Sequence, residues 1–164
     1  MIRSAVLLMC LVFALGFGSA RAEGTQVAFG AIKADPSLPV EVTADSLDVN
    51  QADGSAVFVG NVLIGQGVMR LSARRVLVIY NQEKGGIQRL EATGDVILVS
   101  GPDAAEADRA DYSIDSGVVV MTGNVLLTQG QNALTSEKMT VNLTTGTANM
   151  VGRVKTILQP EPSE

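Results

Sequence analysis

Carboxylates are the side chains in this sequence most able to suggest chemistry. Asp108 and Asp111 stand close enough along the chain to raise the idea of an acid–base pair. Their segment alternates polar and apolar residues, however, and carboxylates on alternating strand faces more often meet solvent than each other. No histidine occurs anywhere, which removes Ser-His-Asp and Cys-His catalysis and imidazole metal sites. The single cysteine, Cys10, lies within an N-terminal apolar run and supplies no thiolate or zinc ligand to the rest of the chain. "GQG" (65–67) and "GNV" (60–62) have no helix after them and so form no phosphate loop. Arg74, Arg75, Lys84, Arg89, Arg109, Lys138, Arg153 and Lys155 are scattered, as on a solvated face. The expectation is a protein that is not an enzyme and uses no metal and no cofactor.

What must position any site is then a question about the frame. Arg3, the apolar run from Ala5 to Phe17 and the Ala20-Arg21-Ala22 motif form the pattern of a secretory signal peptide over 1–22, with cleavage expected after Ala22. Removing Arg3 and Arg21 from the 12 basic residues leaves ten against 17 acidic ones, a net −7. That balance supplies no basic footprint, so nucleic acid is excluded as a partner. An exported chain without disulfides suits a bacterial periplasm, where its core and backbone pairing alone must hold it. Residues 23–38, ending near Pro36 and Pro39, read as a flexible lead-in. Residues 39–158 read as one domain, and 159–164 ("QPEPSE") as a disordered tail.

The domain carries two landmarks in fixed register. One is a glycine before a polar residue and Val: Gly60, Gly94, Gly123 and Gly152. The other is a small residue opening a polar-then-alternating stretch: Ala44, Ala73, Ala107 and Ser136. Gly60, Gly94 and Gly123 each precede the next small residue by 13 positions, and the small residues precede their glycines by 16, 21, 16 and 16. The pattern predicts four ~29-residue repeats, one lengthened by five residues at "NQEKGG" (81–86). Around both landmarks apolar residues recur with period two, as in Phe58, Gly60, Val62 and Ile64, and turn signals such as "ADG", "DSG" and "TTG" lie between. The expected fold is all-β: short antiparallel strands stacked so that neighbouring repeats bury one continuous interior, with the glycines forming a corner along the stack.

The interior would be lined by slim Val, Leu, Ile, Met and Ala, because residues 23–164 hold only four aromatic residues, Phe29, Phe58, Tyr80 and Tyr112. Such a lining either packs into a dry core or leaves an apolar furrow between sheets.

"PVEVTADSLDVN" (39–50) followed by "VFVGNVLIGQGVMRLSARRVLV" (57–78) resembles the OstA-like family, with Ala44-Asp45-Ser46-Leu47, Phe58 to Gly67 and Ala73 to Val78 carrying the likeness. Looser copies follow at 90–101, 107–112 and 119–130, and Arg74 stands where the family often has Asp. The resemblance implies a slightly twisted β-jellyroll, open at both ends, whose interior holds the acyl chains of lipopolysaccharide (its lipid A part). It implies copies joined head to tail, bridging an inner-membrane LptC-like partner and an outer-membrane LptD-like partner. Val40, Val42, Leu47, Val49, Phe58, Val62, Val76, Val78, Tyr112, Met121 and Val125 are the expected acyl-facing wall. Two other roles fit less closely: an anchored LptC-like relay of the same fold, and a β-solenoid that binds polysaccharide.

Overall fold

In the computed structural model, residues 24–30, 35, 37–83 and 85–158 are described; the expected signal peptide (1–22) and tail (159–164) lie outside them. Among the described residues the regular structure is entirely β. The strands are β1 (Thr25–Ala28), β2 (Glu41–Thr43), β3 (Ser46–Asn50), β4 (Ser55–Gln66), β5 (Met69–Tyr80), β6 (Ile87–Ser100), β7 (Asp103–Ser113), β8 (Val118–Gln129), β9 (Asn132–Asn142), β10 (Thr147–Val151) and β11 (Lys155–Ile157).

Successive hairpins pair β4 through β10 antiparallel in chain order, and β1 returns to lie on β10. The stretch where the insertion is expected, 81–86, falls between β5 and β6, and their register shifts again between Ile79 and Tyr80.

Each of the long even-numbered strands β4, β6 and β8 carries an extra residue at its midpoint, where the register shifts. The shifts fall on Gly60-Asn61, Gly94-Asp95 and Gly123-Asn124, all with positive φ at both positions, and Gly152-Arg153 repeats the conformation between β10 and β11. A bulge of this kind bends the strand and increases its twist. The bends align into one crease that divides the sheet into two arms. At each end of the stack, two short strands share one long strand: β3 and β2 take the two halves of β4, and β10 and β11 those of β9.

The glycines have two jobs at the crease. Gly60 and Gly123 adopt φ +81 and +80, a region that side chains with a Cβ rarely visit, and an added Cβ would run into the carboxylates of Asp45 and Asp108. The corner expected from the glycine spacing is therefore a bulge packed against a side chain alongside it, from β7 at Asp108 and from the link between β2 and β3 at Asp45. Those side chains form clasps one residue after each landmark. Asn61 donates to Asp45 at 2.9 Å, Asn124 to Asp108 at 2.9 Å and Arg153 to Glu137 at 2.8 Å, while Arg74 is ion-paired with Asp95. Arg74 thus departs from the acidic pattern together with its partner, so the clasp is kept with its charges exchanged.

Candidate functional site

The inner faces of the two arms form a single apolar cluster that runs the length of the stack. Cα partners in a ladder share a face, so register traces the inside directly. One row reads Leu47, Phe58, Val76, Ala92, Ala110, Met121, Met139 and Met150. A second reads Val49, Ala56, Val78, Leu90, Tyr112, Val119, Val141 and Ala148. On the other arm, Val42, Ile64, Leu71, Leu98, Ala105, Leu127 and Leu134 line up.

The wall residues expected from the sequence fall on these rows or beside them, but in three different settings. Val62, Val76, Val78, Tyr112, Met121 and Val125 are buried. Val40, Val42 and Phe58 are partly buried against the cluster. Leu47 and Val49 share the inward face yet are 51% and 62% exposed, because β3 is the last strand on its arm. The apolar interior is therefore closed along the middle of the stack and open to solvent at the β3 edge.

Several interior-facing polar groups carry no signal in a search for apolar alternation. Tyr112 reaches from one arm to the other, where its hydroxyl donates to Gln66 Oε1, and Gln66 Nε2 donates to the Leu38 carbonyl at 2.9 Å. Burial pushes the Tyr112 phenol up to about 12, because the phenolate would lose its hydration. Gln66, Ser100 and Gln129 each stand six residues after a crease glycine, at the tips of one arm. That recurring offset is the signal by which the sequence marks the rim. Beside it, Asp103 is 8% exposed and accepts a hydrogen bond from Gln129 at 3.1 Å.

The outer face is mixed: Val59, Leu63 and Ile97 are exposed there beside laddered charges. Glu91 and Asp111 sit opposite each other as like charges, and Arg89 and Arg109 lie across them at 2.9–3.5 Å or closer. Four of the scattered cations, Arg74, Arg89, Arg109 and Arg153, are thus held in surface ion pairs. Among the described residues no group of three or more acidic side chains could hold a metal ion.

A creased antiparallel stack with a continuous apolar inside defines a β-jellyroll built around its interior. The family model for "LptA/(LptD N-terminal domain) LPS transport protein" matches residues 41–147, and the chain belongs to this family. An uncharacterized protein of Rhizobium meliloti is 26% identical over 110 residues, covering 63% of this chain and 59% of that protein. The LPS-assembly protein LptD of Yersinia pseudotuberculosis is 34% identical over 101 residues, covering 55% of this chain and 13% of that protein. The chain therefore spans little more than half of the first relative and a small part of the second. In fold it is similar to the crystal structure of LptH from Pseudomonas aeruginosa, an LptA homologue, with a TM-score of 0.69 at 20% identity over 77% of this chain and 99% of that one. The OstA-like resemblance and the jellyroll read from the sequence agree with these matches.

Proposed function

We propose that this protein is a non-enzymatic periplasmic carrier in lipopolysaccharide transport, sheltering lipid A acyl chains against the inner faces of its arms. The observation that carries this reading is the pair of apolar rows that run from the buried middle out to exposed Leu47 and Val49. Moving a ~14-carbon chain through water without cover costs on the order of 10 kcal/mol, at about 0.8 kcal/mol per methylene. A slit lined by Val, Leu, Ile and Met removes that cost without fixing any one atom, so the lipid slides. Family membership supports the pathway, and the LptH structure, whose protein is described as the periplasmic component of a lipopolysaccharide transport device, supports the compartment.

The bridging part of the reading is that copies join head to tail between an LptC-like inner-membrane partner and an LptD-like outer-membrane partner. Its physical support is the sheet edge at β2 and β3, beyond which no strand pairs among the described residues, the kind of edge that an incoming strand can extend.

The test is native mass spectrometry of the exported protein. A chain beginning at Glu23 with a lipopolysaccharide adduct is expected. Val42→Asp and Leu47→Asp should each abolish the adduct while far-UV circular dichroism stays β, because a carboxylate on the apolar wall repels acyl chains. Full retention of the adduct by both variants would sink the placement of the site.

A further inference from the structure

Residues 24–30 fall within the stretch read as a flexible lead-in, yet they are seated on the domain in detail. β1 pairs with β10 from Thr25↔Met150 to Ala28↔Thr147, and the Phe29 amide donates to the Gly146 carbonyl at 3.0 Å. The Phe29 side chain, 1% exposed, is part of the apolar cluster. The chain then reaches the rim of the opposite arm. There the Gly30 amide donates to Asp103 Oδ2 at 2.7 Å, and Gln129 Nε2 donates to the Ala28 carbonyl at 2.8 Å. Gly30 holds φ +78, and a Cβ there would come within 2.5 Å of Ser100 Oγ. Only glycine passes at this point, which indicates that the path across the rim is a built one.

Two features make this seat exchangeable. β1 is only four residues long with three of them exposed, and its apolar anchor is largely the single ring of Phe29. What it covers is the backbone edge of β10, while among the described residues no strand covers the corresponding edge at the other end of the same arm, β3.

We propose that residues 24–30 are a self-inserted plug. It occupies the β10 edge that would otherwise receive β3 of a second copy, and Phe29 holds the space that an acyl chain would take. Withdrawal of the plug frees both positions, so lipid loading and end-to-end growth are coupled. The acyl-chain half rests on the carrier reading; the strand-edge half does not.

The test uses Gln26→Cys with Asn149→Cys, an opposed β1–β10 pair in a chain whose only native cysteine is Cys10. Oxidation locks the plug and reduction releases it, so each preparation is its own folding control. Mass photometry reads self-association. Uptake of N-phenylnaphthylamine and of purified lipopolysaccharide reads access to the interior. The locked protein should remain monomeric and take up roughly tenfold less of both ligands than the reduced protein, and Phe29→Ala should exceed the wild type in both readouts. Equal association and equal uptake by the locked and reduced forms would overturn the plug. Reduced protein that associates, while its locked form stays monomeric and neither binds lipopolysaccharide, would uphold the strand-edge plug and defeat the carrier reading.

Discussion

The two ends of the strand stack follow one plan and are finished differently. At one end β2 and β3 divide β4 between them, and inward-facing Leu47 and Val49 lie open to solvent at 51% and 62% exposure. At the other end β10 and β11 divide β9, but β1 covers β10, and Met150 and Ala148 on the same two inner rows are 0% and 2% exposed. The residues at the two ends are similarly apolar. Their exposure differs because of one added four-residue strand, so access to the interior is set by what covers an edge rather than by the lining itself.

The sharpest way to break this comparison is to truncate matched residues on one row. Met150→Ala should cost about 2–5 kcal/mol, as other buried methionines do, whereas Leu47→Ala should cost under about 0.5 kcal/mol. Urea midpoints give both values. Deleting residues 24–30 should shrink the Met150 cost toward that of Leu47; an unchanged cost would mean that β1 does not set the difference.

Next in size is the crease, which both ends share. Gly123→Val forces a β-branched residue into positive φ against Asp108 and should cost about 1–3 kcal/mol. Gly85→Ala also sits at positive φ, but its added Cβ meets nothing within 4 Å, and it should cost about 1 kcal/mol or less.

Tyr112→Phe removes the strut between the arms and should cost about 1 kcal/mol near neutral pH, measured in the same urea series. Its pH signature is more telling. The phenol has an ordinary value of 10.0 and is pushed up to about 12 in the fold, so the folded state holds its proton more tightly than the unfolded chain does. Stability from this group is complete below pH 10 and is lost as pH rises through 12. The wild type should therefore weaken across that window by more than Tyr112→Phe.

The smallest effect belongs to the surface clasp with exchanged charges. Arg74 and Asp95 have side chains 75% and 70% exposed, and Arg74→Ala should cost less than about 1 kcal/mol. The double variant Arg74→Asp with Asp95→Asn copies the Asp45–Asn61 clasp and should restore the wild-type midpoint.

Much of this architecture is legible in the sequence because β-structure writes its faces with period two. Phe58, Val62, Val76 and Met121 could be placed on one wall from parity alone, and the glycine spacing marks the line where the wall bends. Exposure was not legible in the same way. Leu47 and Val49 read like their buried counterparts, since nothing local says that β3 has no further strand beside it among the described residues. β1 was hidden for the converse reason: "TQVA" is too short and too polar to announce a strand, and pairing with a partner more than a hundred residues away supplies what propensity does not. The Tyr112–Gln66 strut joins two arms that only the fold brings together, and no spacing along the chain encodes it.

Adjacent residues of β4 test most directly the proposal that lipid lies on the inner wall. Phe58 points inward and is partly buried, while its neighbour Val59 points outward and is 40% exposed. A photoreactive benzoyl-phenylalanine placed at each position in turn, and irradiated with lipopolysaccharide present, reads which face touches the lipid. Crosslinking from position 58 and not from 59 is the predicted result. Equal crosslinking from both, or crosslinking from 59 alone, would contradict it.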